Sequence, residues 1–127
     1  MTERWRNSGQ WSEARFVAFV KSALRGASQR WGPKNQLLKE SRVERGKYKC
    51  VCGIIHPVSI EIEGRRTRNI FVDHIKPVVG PEGFTTWDDF INNLFCEQDN
   101  LQILCKECHD RKSLEERQEL KRRKDIG

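Results

Sequence analysis

The sequence predicts an α+β fold, with helical regions on either side of a small antiparallel β unit, and three observations predict it. Apolar residues recur with the 3.6-residue period before Gly32 and again after Thr86. Between them, Val58-Ser59-Ile60-Glu61-Ile62 alternates with the period of a strand. Two cysteine pairs, Cys50-Val51-Cys52 and Cys105-Lys106-Glu107-Cys108, bracket the central region and are spaced to hold one ion together.

The first residues are polar and read as an irregular lead-in. Ser12 caps a helix whose apolar positions are Phe16, Phe19, Val20, Ala23, Leu24 and Ala27, and whose other face carries Arg15, Lys21, Arg25 and Arg30. Gly32-Pro33 stops it. Asn35 caps a second, shorter helix through Leu37, Leu38 and Val43, which Gly46 ends. Residues 1–46 are thus expected to form a basic helical hairpin, ahead of one compact core over 47–127.

Tyr48 to Gly53 reads as a metal-binding knuckle. The strand Val58–Ile62 turns at Glu63-Gly64-Arg65-Arg66, and Asn69-Ile70-Phe71-Val72 runs back along it. That hairpin delivers Asp73-His74 at its far end, before Pro77. Thr86 caps a helix that carries Trp87, Phe90, Ile91, Leu94 and Phe95, with Asp89 three residues beyond the cap. After Leu101–Leu104, a last helix starts near Lys106 and runs through the charged stretch Glu115–Lys124.

Of the 127 residues, 36% are hydrophobic and 33% charged, so the core is thin and a staple is expected. The net charge of +6 favours a polyanionic partner, with salt-sensitive phosphate contacts. No apolar run approaches the ~20 residues of a membrane span, and Met1-Thr2-Glu3-Arg4 does not open a signal peptide. The expected compartment is the cytoplasm, where reduced cysteines at short spacings bind metal more often than they form disulfides.

Cys105-x2-Cys108 is a turn that lets two thiolates face one ion, and Cys50-x-Cys52 supplies the second pair for tetrahedral Zn²⁺. Cys-x-Cys is one residue shorter than the usual knuckle, so His56 is an alternative to Cys50 as fourth ligand. Cys96 has no spaced partner and reads as a core residue.

Three segments together carry a family resemblance: Tyr48-Lys49-Cys50…Cys52-Gly53, Val72-Asp73-His74-Ile75-Lys76-Pro77, and Asn100-Leu101-Gln102…Leu104-Cys105…Cys108-His109. Over about residues 47–115 the chain resembles the HNH endonucleases, whose core is the ββα-metal fold. Trp87–Cys96 looks especially like the phage-encoded members. The resemblance implies a metal-dependent DNA endonuclease that hydrolyses phosphodiester bonds. It makes His74 the general base, Asn100 the central amide, and Asp73 and His109 the ligands of a catalytic Mg²⁺, Mn²⁺ or other divalent transition metal. In phage relatives it also suggests a packaging-motor protein as partner, in the host cytoplasm.

Elementary chemistry agrees with that division. A neutral imidazole titrating near ~6.5 accepts a proton from water at physiological pH, whereas an amide does not titrate and can only orient. One oxygen and one nitrogen ligand leave positions open for water and phosphate. Arg65, Arg66 and Arg68 at the hairpin, Lys76 beside the base, and Arg111 and Lys112 after His109 are expected to meet DNA phosphates, against the plainer reading of a solvated charged face. The competing function is a zinc-stapled DNA-binding or adaptor protein without turnover. A site-specific homing or restriction enzyme would need a larger recognition surface.

Overall fold

The computed structural model describes residues 3–126, with side chains described as far as Arg123. The Lys124 end of the basic run Lys121–Lys124 therefore has its side chain outside the described residues. The architecture is mixed α+β, with four α-helices and small antiparallel sheets among the described residues. The chain divides into two compact units, Met1–Trp31 and Gly32–Gly127. The boundary falls 15 residues before the one expected at 46/47, and the two helices expected to form a hairpin belong to different units.

In the first unit, β1 (Arg4–Arg6) pairs antiparallel with β2 (Trp11–Ser12), so the lead-in expected to be irregular is a short ribbon. Helix α1 (Glu13–Ser28) follows directly. Its cap is the expected one: Ser12 Oγ accepts the Arg15 amide at 3.3 Å, satisfying one of the orphan donors of the first turn.

The second unit opens with α2 (Gly32–Ser41). Gly32-Pro33, expected to stop a helix, starts this one. Proline lacks the N–H that a first helical turn leaves unbonded, and its fixed φ suits that turn. The helix ends at Ser41, so Val43 lies in β3 (Arg42–Glu44), 54% exposed, and not on a helical core face. Strands β3, β4 (Lys47–Lys49) and β5 (Ile55–Pro57) form a three-stranded sheet in that order.

Strand β6 (Ser59–Ile62) turns at Glu63 (φ 50°) and Gly64 (φ 78°), two left-handed residues that match the twist of a two-residue hairpin. That turn fixes the register at Ile62↔Arg65 through Ser59↔Arg68, so β7 (Arg65–Arg68) takes the whole partner edge. The strand expected to run back along β6 instead begins after the hairpin is complete, as β8 (Ile70–His74). It pairs with β9 (Leu101–Cys105) in the register Ile70↔Cys105 through His74↔Leu101. Hydrophobic burial explains the choice. Ile70, Leu101, Ile103, Leu104 and Cys105 are all buried, whereas β7 offers only Arg65, Arg66, Thr67 and Arg68 as partners.

Helix α3 (Trp87–Leu94) is capped as expected by Thr86 Oγ1, which accepts the Asp89 amide at 3.1 Å, and it buries Phe90 and Leu94. A single 3₁₀ turn, Gln98–Asn100, leads into β9, and α4 (Lys106–Ile126) follows with no intervening loop. Buried Asn69 ties the layers together. Its amide donates to the Pro57 carbonyl at 3.0 Å, and its side-chain oxygen accepts the Lys106 amide at 3.1 Å, one of the open donors at the start of α4.

Candidate metal centre and the Asp73–His74 site

The four cysteines converge. Cys50 follows β4, Cys105 ends β9, and Cys108 lies in the first turn of α4. The ligand atoms of Cys50, Cys52, Cys105 and Cys108 all lie within 4.8 Å of one another. Four sulfurs at ~2.3 Å from a tetrahedral zinc ion stand about 3.8 Å apart, so the cluster is of the size that such an ion requires. The shortened Cys-x-Cys knuckle works because the chain reverses within it. The Gly53 amide bonds the Cys50 carbonyl at 2.9 Å, and Gly53 has a φ of 88°, open to glycine without strain. Cys50 is 2% exposed, and its Sγ accepts the amides of Cys105 at 3.3 Å and Cys52 at 3.5 Å.

Burial pushes the Cys50 thiol upward, but the two amides and the neighbouring thiols outweigh it and hold Cys50 at about 7. Burial and the adjoining sulfurs push Cys108 up to about 12. Sulfurs crowded this closely without compensating charge resist joint deprotonation, and a divalent cation relieves that repulsion. Four cysteines arranged in this way can hold a metal ion such as zinc. His56 stands outside the cluster, on β5 opposite Tyr48, so Cys50 takes the place for which His56 was the alternative. Cys96 is half-buried and also outside the cluster.

Strand β8 carries Asp73 and His74 on opposite faces. The His74 Nε2 lies 2.9 Å from the Leu94 carbonyl, at the C-terminal end of α3. A carbonyl can only accept, so Nε2 carries the proton and the lone pair is on Nδ1. Burial pushes the His74 imidazole below its usual 6.5, with the Lys34 and Lys112 cations acting in the same direction and the Leu94 contact and Asp73 opposing. The ring is therefore neutral near pH 7, with a basic nitrogen of known identity.

Asn100 fixes the chain just beyond that imidazole. Its carbonyl accepts the Ile75 amide at 2.8 Å, its side-chain oxygen accepts the Lys76 amide at 3.0 Å, and its side-chain amide donates to the Lys76 carbonyl at 3.4 Å. Three bonds from one residue hold the segment after β8 against the start of β9.

On the other face, Asp73 Oδ2 accepts Gln102 Nε2 at 3.1 Å and Lys112 Nζ at 2.6 Å. Gln102 is the register partner of Asp73, which explains the first contact. Lys112, expected on a phosphate, is instead turned inward. Its ammonium also meets the His74 carbonyl at 2.6 Å and Glu116 at 3.1 Å. Burial lowers its basicity, but the Asp73 and Glu116 carboxylates outweigh that and hold Lys112 above its usual value.

His109 is one turn before Lys112 on α4, and its ring stacks on Phe71 with centroids 4.2 Å apart. Phe71 and Asp73 alternate with Val72 on β8, so His109 and Lys112 both pack against the strand face that bears Asp73. The His109 Nδ1 is buried, makes no hydrogen bond among the described residues, and lies 3.6 Å from Asp110 Oδ1. A carboxylate and a ring nitrogen are donor types that a divalent cation takes, and here the Lys112 ammonium stands on the carboxylate at 2.6 Å.

The other expected cationic residues lie at the surface. Arg65, Arg66 and Arg68 are exposed on β7, where Arg66 Nε donates to Ser59 at 3.0 Å and Arg68 Nε to the Ile70 carbonyl at 2.8 Å. Lys76 is exposed, and Arg111 pairs with Glu107 at 3.3 Å. Sequence reasoning missed Lys34 and Gln102. Lys34 is 8% exposed, and its charge bears on His74, yet nothing in a short polar helix marks it. Gln102 becomes visible only once Asp73 is known to lie opposite it.

No helix among the described residues is long and apolar enough to cross a membrane. Comparisons with protein-family models, curated proteins and solved structures returned no match.

Proposed function

We propose that this chain is a metal-dependent DNA endonuclease of the HNH, ββα-metal type, with the four-cysteine cluster holding structural zinc. The observation that carries this reading is the pairing of His74 and Asn100. One imidazole nitrogen is tied to the Leu94 carbonyl, the other keeps its lone pair, and Asn100 pins the segment that follows. That is the arrangement a general base requires: fixed tautomer, fixed ring, neutral state at working pH.

In this reading His74 Nδ1 takes the proton from the attacking water. Asp73 and His109 would hold a Mg²⁺, Mn²⁺ or later divalent ion, which when bound neutralises charge developing on the phosphate and the leaving oxygen. Asp73 keeps one oxygen, Oδ1, without a hydrogen bond among the described residues, and Gln102 orients the carboxylate through the other. Exposed Arg65, Arg66 and Arg68, together with Lys76 and Arg111, supply cationic groups for the backbone of duplex DNA. A packaging-motor protein remains the partner that the resemblance suggests.

One observation favours a second reading, a zinc-stapled nucleic-acid-binding or adaptor protein without turnover. The Lys112 ammonium already neutralises Asp73 at 2.6 Å, so the protein supplies a cation of its own at this carboxylate.

Supercoiled plasmid incubated with the purified protein separates the two. The nuclease reading expects nicked or linear product with Mg²⁺ or Mn²⁺ and none with chelator. A mobility shift of the DNA with no cleavage under any divalent ion would favour the binding protein.

A further inference from the structure

The charge of this chain is not spread evenly. Residues 1–31 hold six arginines and lysines against two glutamates, a net +4 of the chain's +6. The same residues form the separate compact unit Met1–Trp31. The nearly balanced remainder carries the Asp73–His74 site.

Within the first unit, the cations interleave with aromatic rings. The Arg6 guanidinium lies 4.0 Å from the Trp5 ring centroid and 4.1 Å from that of Phe16. Arg15 lies 4.9 Å from the Trp11 centroid, and Trp11 is 5.1 Å from Phe19. Two short clusters result, Trp5–Arg6–Phe16 and Arg15–Trp11–Phe19, the last two rings tilted at 58°. Glu13 accepts a hydrogen bond from Arg6 Nε at 3.0 Å.

Each cluster ends on an exposed ring, Trp5 at 58% and Phe19 at 56%. Folding gains from burying such rings, so two of them left open in a unit this cationic point outward to a ligand. The ligand must be anionic and also offer flat apolar faces. Nucleic acid has both properties, with phosphates for Arg4 and Arg15 and bases for the exposed rings. An acidic protein offers flat faces only at scattered aromatic side chains, whereas every nucleotide pairs a phosphate with a base.

We propose that the Met1–Trp31 unit is a nucleic-acid anchor, gripping phosphates through Arg4 and Arg15 and stacking Trp5 and Phe19 on unpaired or splayed bases. The proposal rests on the nuclease reading in taking DNA as the partner, and it adds a second contact region with a preference for frayed, gapped or single-stranded DNA. Such a unit sets where the chain dwells, while the Asp73–His74 site acts.

The test uses the full chain with chelator present, so that no DNA is cut, and labelled oligonucleotides of one sequence as duplex, gapped duplex and single strand. Fluorescence anisotropy gives Kd over a salt series. Trp5→Ala should weaken gapped and single-stranded binding by about tenfold, and Trp5→Phe should restore most of it. Arg4→Ser with Arg15→Ser should weaken all three and reduce the slope of log K against log salt by about one for each phosphate that is no longer neutralised. All the substituted side chains are exposed, and circular dichroism with zinc content checks the fold. Unchanged Kd and salt slope in every variant would overturn the anchor, even if the wild type cuts plasmid DNA. Tight binding of an acidic peptide that depends on Trp5, with DNA affinity unmoved, would overturn it in favour of a protein partner. A wild type that neither binds nor cuts DNA would remove the nuclease reading and the anchor with it.

Discussion

At the scale of single residues, the site depends on which atom of each side chain is already committed. His74 spends Nε2–H on the Leu94 carbonyl and keeps Nδ1, and Asn100 spends its carbonyl and both ends of its amide on Ile75 and Lys76. The residue types were legible in the sequence, since Asp-His, Asn and His occur in a telling order. Their commitments were not. Lys112 looked like a phosphate contact one turn beyond His109, and only the fold shows that the face bearing His109 turns the ammonium onto Asp73. A pH prediction belongs here. Burial depresses the His74 imidazole below 6.5, so its basic form persists as pH falls through that value. The acid limb of a cleavage-rate profile at saturating DNA and metal should therefore lie below pH 6.5. Stability carries the matching sign: the unfolded chain binds the proton first, so folding weakens as pH drops below about 6.5. An acid limb centred above 7 would contradict this environment for His74.

At the scale of elements, single-residue signals hold at Ser12 and Thr86 but not in the second helix, which runs from Gly32 to Ser41 with Asn35 inside it and Gly46 beyond its end. Ser12 and Thr86 cap the helices predicted for them, because a side-chain oxygen three residues ahead of an open amide suffices. Lys106 begins the last helix. The larger differences arise where pairing over distance decides. The turn at Glu63-Gly64 closes β6 on the arginine-rich β7, and β8 finds its partner in β9, some thirty positions on, because only β9 offers buried leucine and isoleucine. That exchange couples the two sites. Strand β9 carries Gln102 toward Asp73 and ends at Cys105, while the Val51 amide of the knuckle bonds the Ile103 carbonyl at 3.0 Å. A metal held by the cysteines would thus fix the strand that orients Asp73. Cys105→Ser should release zinc and unfold the Gly32–Gly127 unit, because binding energy at such a site is folding energy. Metal analysis with thermal denaturation checks it; a variant that keeps both its fold and its wild-type melting temperature would show that the cluster staples nothing.

At the scale of the whole molecule, composition anticipated the economy of the fold. The buried apolar core is small: Ile70, Phe90, Leu94, Leu101, Ile103 and Leu104, with Cys50 and Cys105 beside them. A chain that is one-third charged lacks material for more, and a metal-sized cysteine cluster at the edge of that core supplies what packing does not. Composition did not reveal how charge is divided. The +6 reads as one property of the sequence, yet most of it belongs to a unit that carries none of the candidate catalytic residues. If the first unit anchors nucleic acid as proposed, binding and chemistry are separable by mutation. The proposed role of His74 as the base of a nuclease is tested by single-turnover cleavage with His74→Ala, with DNA affinity measured on the same preparation. Loss of the base lowers the cleavage rate by on the order of 10² to 10⁴-fold at unchanged affinity and zinc content. Cleavage at the wild-type rate by the folded variant would contradict it.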